Sequence, residues 1–276
     1  MAKGDKERMK TVITAENDTL SEYLSKVWKH RAFVVVLAKR DLKVKYAQTM
    51  LGVAWTVVQP LVAMTVFTLF FSLLLDVKTD YPYVLFVLSG VVCWNLFNYI
   101  FSHASSSLLN NQDLIKKVSF PKIVLPVSKM LVASVELGIS LVPLFILLLW
   151  FKIPLGLNIL WFPLILLAIM VFSLGVSLIL AASTIRYRDL HHLIPFLVNF
   201  GIWFTPVFYP VSLIPDQYKD YLYINPMASF IGLFRWSLFA DSVAPMAFLG
   251  LLTAIIFLIF GVIYFKRVED QITDTV

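Results

Sequence analysis

The chain has 276 residues, 59% of them hydrophobic and only 14% charged, with a mean hydropathy of +0.82 and a formal net charge of +6. That balance excludes a water-soluble globule, which would expose far more charge. It also excludes a β-barrel, because the apolar runs are continuous and do not alternate in short strands. The basic excess flanks the apolar runs, a pattern of topology setting and anionic-lipid contact; no nucleic-acid partner is expected.

In chain order, the first 19 residues are polar, mixed in charge and without an apolar core. No cleavable leader is therefore expected, and the first span directs insertion. Thr19-x-x-Glu22 is a capping box that opens a helix. Leu20, Tyr23, Leu24, Val27 and Trp28 share one helical face, with Lys26, Lys29, His30 and Arg31 on the polar side. This is either an amphipathic helix lying on the membrane interface or a helix packed on a partner.

The sequence predicts an all-α polytopic membrane protein with six transmembrane helices, at about 49–75, 83–104, 123–150, 159–185, 193–210 and 246–265. Residues 1–48 form an N-terminal region, 49–265 the transmembrane domain, and 266–276 a tail. With the N-terminus inside, only Lys78, Lys152, Lys219 and Arg235 of the 23 Lys and Arg residues fall outside. The positive-inside rule then puts both termini in the cytosol of a multi-pass plasma (inner) membrane protein.

Between the second and third spans, about 108–121, lies a compact polar stretch from Asn110 to Pro121. It reads as a segment that another protein grips, or as a solvated loop. Between the fifth and sixth spans, about 211–240, Tyr209-Pro210, Ile214-Pro215-Asp216 and Asn225-Pro226 punctuate the chain. Asn225-Pro226 is an N-cap with Pro at the first helical position, opening an apolar helix with one charge, Arg235. Two short re-entrant helices or a surface-lying pair both fit; a re-entrant pair borders a pathway, because irregular backbone at membrane depth must be covered by protein or water.

No catalytic constellation is found. His30, His103, His191 and His192 lack metal-ligand spacing, so no metal is expected. There is no Gly-x-Ser-x-Gly elbow and no Gly-x-x-x-x-Gly-Lys phosphate loop. An active pump of this sequence draws its energy from another subunit or from an ion gradient. Cys93, the only cysteine, sits in an apolar run and reads as a small buried hydrophobe. Glu136 is the one clear intramembrane charge, with Lys129 seven residues earlier. A charge there costs roughly 2.5–3.5 kcal/mol on insertion scales, so it faces protein or water. Its role is either interhelical hydrogen bonding or a place on a pathway.

Ser134 and Gly138 on the third span, and Ser173, Ser177 and Ala181 on the fourth, are small residues at a spacing that lets helices approach closely. Two clusters mix aromatics with amides: Trp94, Asn95, Phe97, Asn98, Tyr99 and Phe101, and Asn199, Trp203, Phe204, Phe208 and Tyr209. Such faces suit sugar rings, which are apolar on C–H faces and hydrogen-bond at their rims. The alternative, an interfacial aromatic belt, accounts for Tyr209 and Trp161 but less well for the amides.

These residues resemble a known family. Arg40-Asp41-Leu42-Lys43-Val44-Lys45-Tyr46 followed by Leu51-Gly52-x-x-Trp55-x-x-x-Gln59-Pro60 is similar to the approach to the first span in polysaccharide and polyol-phosphate exporter permeases. These are membrane subunits of type-two ABC exporters of lipid-linked O antigen, capsular polysaccharide and teichoic acid. Asn111 to Pro121 with Leu125-Pro126, Arg188-Asp189, Thr205-Pro206-x-x-Tyr209-Pro210, and Asn225-Pro226 with Arg235 continue the resemblance from about residue 20 to 265.

The resemblance implies a transport subunit, not an enzyme. It implies a homodimer with two nucleotide-binding ATPase subunits, which hold ATP and Mg; this chain carries no cofactor of its own. Asn111, Asp113, Leu114, Ile115, Lys116, Lys117 and Val118 would form the ATPase-coupling helix. Asp113 near its start and Lys116-Lys117 near its end suit the helix dipole, and Leu114, Ile115 and Val118 offer an apolar docking surface. A channel for a lipid-linked polysaccharide would be lined by spans one, two and five, through Trp55, Gln59, Trp94, Asn95, Asn98, Tyr99, Phe101, Asn199, Trp203, Phe208 and Tyr209. Pro210, Pro215, Asn225, Pro226 and Arg235 would belong to an external gate. An exporter of drugs or small lipids shares the six-span plan; a membrane-embedded transferase or a gated channel is the reading from another class.

Overall fold

A computed structural model of the chain describes residues 19–47, 49–240 and 243–275. The first 18 residues, on which the expected absence of a leader rests, lie outside the described residues. Every helix or strand assigned among the described residues is helical. Five helices are long and apolar enough to cross a membrane: Gly52–Leu74, Tyr83–Ser105, Val124–Trp150, Leu157–Arg186 and Pro245–Glu269. They match five of the six predicted spans to within a few residues.

Helix α1 (Leu20–Lys29) opens with the expected capping box. The Thr19 backbone N–H donates to Glu22 Oε2 at 2.8 Å, and the Glu22 N–H donates to Thr19 Oγ1 at 3.4 Å. Tyr23 is the only buried residue of α1, while Leu20, Leu24 and Trp28 stay exposed along one face. At His30 the chain turns into α2 (Arg31–Tyr46), a second helix before the first span that packs along α6.

The first span starts at Gly52, whose φ of +50° is a left-handed conformation open to glycine, and continues as α3 (Trp55–Phe67) into a widened π-helical turn, Thr68–Leu74. It touches α4 and α6 along one flank and leaves Val62, Val66, Leu69, Phe70 and Leu73 exposed. Helix α4 (Tyr83–Ser105) is the most enclosed span and packs on α3, α6, α7, α8 and α10. Short α5 (Gln112–Lys117) leads into α6 (Val124–Trp150), which carries Pro143. A 3₁₀ turn, Leu157–Trp161, opens α7 (Phe162–Arg186).

The tightest helix crossing joins α7 to α11 (Leu249–Thr275). A Cβ placed on Gly175 would lie 2.5 Å from the Phe257 carbonyl carbon, and one on Gly261 would lie 2.3 Å from the Gly175 oxygen. Two backbones meet here because neither position carries a side chain. On α7 the expected small-residue stripe is buried, and Ser177 Oγ donates to the Ile100 carbonyl of α4 at 3.3 Å. On α6 the expectation is corrected: a Cβ on Gly138 would meet nothing within 4 Å, so no helix of this chain approaches there.

The predicted fifth span, 193–210, is not a single continuous helix. The chain forms α8 (Leu190–Gly201), 12 residues long, then leaves helical geometry through residues 202–209. Gly201 weakens the helix, and Pro206 and Pro210 cannot donate the hydrogen bonds that would continue it. The segment still runs the length of α4: Ser106 Oγ pairs with His191 Nδ1 at 3.2 Å near one end, and the Pro206 and Val207 carbonyls meet Arg235 near the other. Short α9 (Asp216–Leu222) follows, then α10 (Pro226–Phe239), capped by Asn225 Oδ1, which accepts from the Met227 N–H at 3.0 Å. At 14 residues α10 is too short to cross a bilayer. Past residue 265, where the tail is predicted to begin, α11 continues as one helix to Thr275.

Candidate functional site

A cavity of about 250 Å³ opens where the end of α2 meets α3, α4 and α6. Of the residues singled out in the sequence, Trp55, Gln59, Asn95, Asn98, Tyr99 and Glu136 line it. Lys45, Tyr46, Thr56 and His103 complete its polar wall. Lys45 Nζ lies 2.5 Å from Glu136 Oε1 and 4.6 Å from the centre of the Tyr99 ring. The Tyr46 hydroxyl bridges Glu136 Oε1 at 3.2 Å and Thr56 Oγ1 at 2.8 Å. Burial, with the Glu136 charge adding to it and the Thr56 bond opposing it, raises the Tyr46 phenol above its usual pKa, so it stays a neutral donor. The cost of the intramembrane carboxylate is thus offset by one cation and one hydroxyl.

A second ion pair lies one turn back on α2. Lys129 Nζ reaches Asp41 Oδ2 at 2.5 Å, and both side chains are largely buried. On α2 the acid is at 41 and the base at 45; on α6 the base is at 129 and the acid at 136. The alternation of sign fixes the register of α2 along α6. Arg40 joins the set by donating to Asp41 Oδ1 at 2.8 Å and to Asn111 Oδ1 at 3.0 Å. Asn111 in turn donates to the Ser107 carbonyl at 2.8 Å. A polar chain therefore runs from Asn111, at the start of α5, to the Asp41–Lys129 pair, one turn of α2 from the cavity residue Lys45.

The remaining expected path residues do not line this cavity. Trp94 and Phe101 lie on the core side of α4, packed around Phe97 at 5.3 and 5.2 Å between ring centres. Phe208 is buried and stacks on Phe67 at 3.4 Å. Asn199 and Trp203 are exposed on the α8 side, and the Tyr209 hydroxyl donates to the Trp203 carbonyl at 3.3 Å.

In α5, Ile115 is buried in the chain's own core and Leu114 packs against it. Of the expected apolar docking surface, Ile115 is corrected to a core residue, Leu114 is half-buried and Val118 is exposed, together with Asp113, Lys116 and Lys117. A six-residue helix keeps one side for its own protein, and the two leucine-type side chains fall on that side.

At the opposite end of the bundle a second cavity, about 470 Å³, lies between the 78–81 turn, α9 and α10. Pro210 and Arg235 border it. Pro215 precedes α9, and Asn225 and Pro226 open α10. Arg235 is buried: it donates to the carbonyls of Pro206 at 2.8 Å, Val207 at 2.9 Å and Phe86 at 3.0 Å, and its guanidinium lies 3.5 Å over the Phe86 ring. It pins the irregular 202–209 segment to α4.

Sequence reasoning missed Lys45 and Tyr46 as cavity residues, and missed Glu269. The Asp41/Lys45 spacing on one helix against Lys129/Glu136 on another was the available signal for the first pair. Glu269 carried none, because its partners are 147 and 246 residues away in sequence.

The family described as ABC-2 type transporter matches residues 33–239. The O-antigen export system permease protein RfbA of Klebsiella pneumoniae is 27% identical over 244 residues, 87% of this chain and 93% of that protein. The O-antigen export system permease protein RfbA of Myxococcus xanthus is 30% identical over 206 residues, 74% of this chain and 78% of that protein. The polysialic acid transport protein KpsM of Escherichia coli is 20% identical over 250 residues, 87% of this chain and 95% of that protein. The family match spans the first cavity, most of the second, α5 and the pinned segment before α9, and the chain belongs to the ABC-2 type transporter family.

Proposed function

We propose that this chain is the transmembrane permease of an ATP-driven exporter that moves a lipid-linked polysaccharide across the plasma membrane. The observation that carries the reading is alignment over nearly the whole length with permeases named for O-antigen export. Such a permease is a transport subunit; ATP and Mg act on separate nucleotide-binding subunits.

Several features support the finer reading. The Tyr23 hydroxyl bonds Glu269, so the first and last helices meet at one end of the bundle. Together with the charge bias, this favours two cytosolic termini and a sixth crossing made by α8 and residues 202–209. Irregular backbone in that crossing is tolerated because Arg235 and α4 cover it. The exposed Leu20, Leu24 and Trp28 suit α1 to the cytosolic interface. The unpartnered apolar face of α3 suits a second copy of the chain across a shared channel. The cavity of amides, Trp55 and Tyr99 suits a sugar ring. The α9–α10 pair, over the second cavity, would be the external gate.

The test is purification of the chain with its ATPase partner and measurement of hydrolysis with and without lipid-linked glycan. Wild type should copurify and be stimulated. Lys117→Glu with Val118→Asp, both exposed at the end of α5, should insert normally yet lose at least about tenfold of that stimulation, since like charges set against a complementary face cost several kcal/mol. ATP hydrolysis by the isolated chain, or wild-type stimulation in the double variant, would overturn the reading.

A further inference from the structure

A carboxylate from the last helix holds the elbow that follows α5. Glu269 on α11 is buried, with Oε1 accepting the backbone N–H of Lys122 and Oε2 accepting the hydroxyl of Tyr23. Lys122 lies in the turn that leads into α6, just before the cap residue Ile123. A carboxylate there satisfies a buried backbone donor of the turn and lies toward the positive end of the helix dipole. The Tyr23 contact is as particular, because Tyr23 is the only buried residue of α1. The elbow is pressed from a third side by α2: Phe120 is buried against Phe33, ring centres 5.0 Å apart and edge to face. Glu269 is thus the point at which α1, the α5–α6 elbow and α11 are joined by hydrogen bonds.

The mechanical consequence follows from what each partner is attached to. Helix α11 is locked to α7 through the Gly175–Gly261 crossing, where two backbones are in direct contact. Side chains that flex cannot absorb a displacement there, and close-packed interfaces of this kind move as units. A push on α5 is delivered along two routes: at its start through Asn111 and Arg40 to α2, and at its end through the Lys122 N–H to Glu269 and α11.

We infer that Glu269 is a positioning residue for transport, holding the coupling elbow and the interfacial helix on α11 so that motion of an ATPase against α5 reaches the α7–α11 pair. This rests on the exporter reading above. It adds a second output from α5, separate from the Arg40 route to α2 and the Asp41–Lys129 pair.

The experiment uses the complete transporter, this chain with its ATPase, carrying Glu269→Ala, Glu269→Gln, Tyr23→Phe or Glu269→Ala with Tyr23→Phe. Three quantities are read: copurification of the ATPase, its hydrolysis rate, and polymer exported per ATP hydrolysed. Glu269→Ala should leave assembly and hydrolysis near wild type and lower export per ATP by at least about fivefold, as expected when a buried hydrogen-bond acceptor is removed. Glu269→Gln keeps an oxygen for the Lys122 N–H and should recover most of that loss. Tyr23→Phe should lower the ratio about twofold, and the double variant should be no worse than Glu269→Ala alone, since both remove one joint. Should Glu269→Ala fail to accumulate, Tyr23→Phe, which removes a single hydroxyl, decides the matter. An unchanged ratio in Tyr23→Phe and in whichever Glu269 variants accumulate would overturn the inference, as would hydrolysis and export falling in strict proportion. Absence of an ATPase partner in wild type would instead sink the exporter reading.

Discussion

Lys45 at the end of α2 and Glu136 inside α6 meet at 2.5 Å on the wall of the first cavity, and the two groups are unequally sheltered. The lysine side chain is 41% exposed and the carboxylate 12%. The pair is therefore asymmetric: the ammonium has solvent to turn to, whereas the carboxylate depends on Lys45 and Tyr46.

Removing the cation should accordingly cost more than neutralising the acid. Lys45→Met leaves a largely buried carboxylate with one hydroxyl donor and is expected to lower stability by about 1–2 kcal/mol, discounted from the fully buried case because Lys45 is itself partly exposed. Glu136→Gln keeps an oxygen for the Tyr46 hydroxyl and is expected to cost about 0.5 kcal/mol and to retain export. Thermal unfolding of the purified variants in detergent checks the order. A larger loss in Glu136→Gln than in Lys45→Met would mean the carboxylate is not held by the lysine.

The Gly175–Gly261 crossing sets up a second comparison with its own control. Any Cβ at Gly175 must displace the α11 backbone, so Gly175→Ala is expected to cost about 3 kcal/mol, the upper range for overpacking. Gly138→Ala fills open space in a helix and should be neutral or stabilise by up to about 1 kcal/mol through helix propensity. Membrane accumulation and unfolding midpoints of the two single variants separate them. Equal behaviour would mean α7 and α11 are not in backbone contact.

The contrast between these glycines shows what the sequence could and could not convey. Continuous apolar runs located five spans to within a few residues, because a bilayer imposes a length that composition alone reveals. Thr19-x-x-Glu22 and Asn225-Pro226 were legible because capping is local chemistry. Gly138 and Gly175 look alike in sequence; only the approach of α11 to one and not the other distinguishes them. The run 193–210 reads as a span because hydropathy is blind to whether backbone hydrogen bonds continue. The carbonyls freed after Gly201 are satisfied by an arginine more than 25 residues later. The cavity between α2, α3, α4 and α6 was half legible: its amides and aromatics stand out on α3 and α4, whereas Lys45 and Tyr46 enter it only because α2 lies along α6.

That arginine carries the last expected outcome. Arg235 donates to three carbonyls from two segments and lies flat on Phe86, a combination that needs a planar fork of donors. Lysine offers a single ammonium and no flat face, so Arg235→Lys should lose about 2–4 kcal/mol, in keeping with several charge-assisted bonds broken at once. Gly90→Ala offers an independent route to the same lesion, since its Cβ would lie 2.8 Å from the Arg235 Nη2 atom and 2.8 Å from the Val207 carbonyl oxygen. Both variants should loosen residues 202–225 without disturbing the α7–α11 pair. Lys219, on α9 beyond the pinned segment, provides the readout: trypsin added to purified protein should cut there sooner in Arg235→Lys and Gly90→Ala than in wild type. Were Arg235→Lys to resist trypsin like wild type while Gly90→Ala did not, the guanidinium would be a spectator, and the packing of Val207 on α4 would be what holds the irregular segment in place.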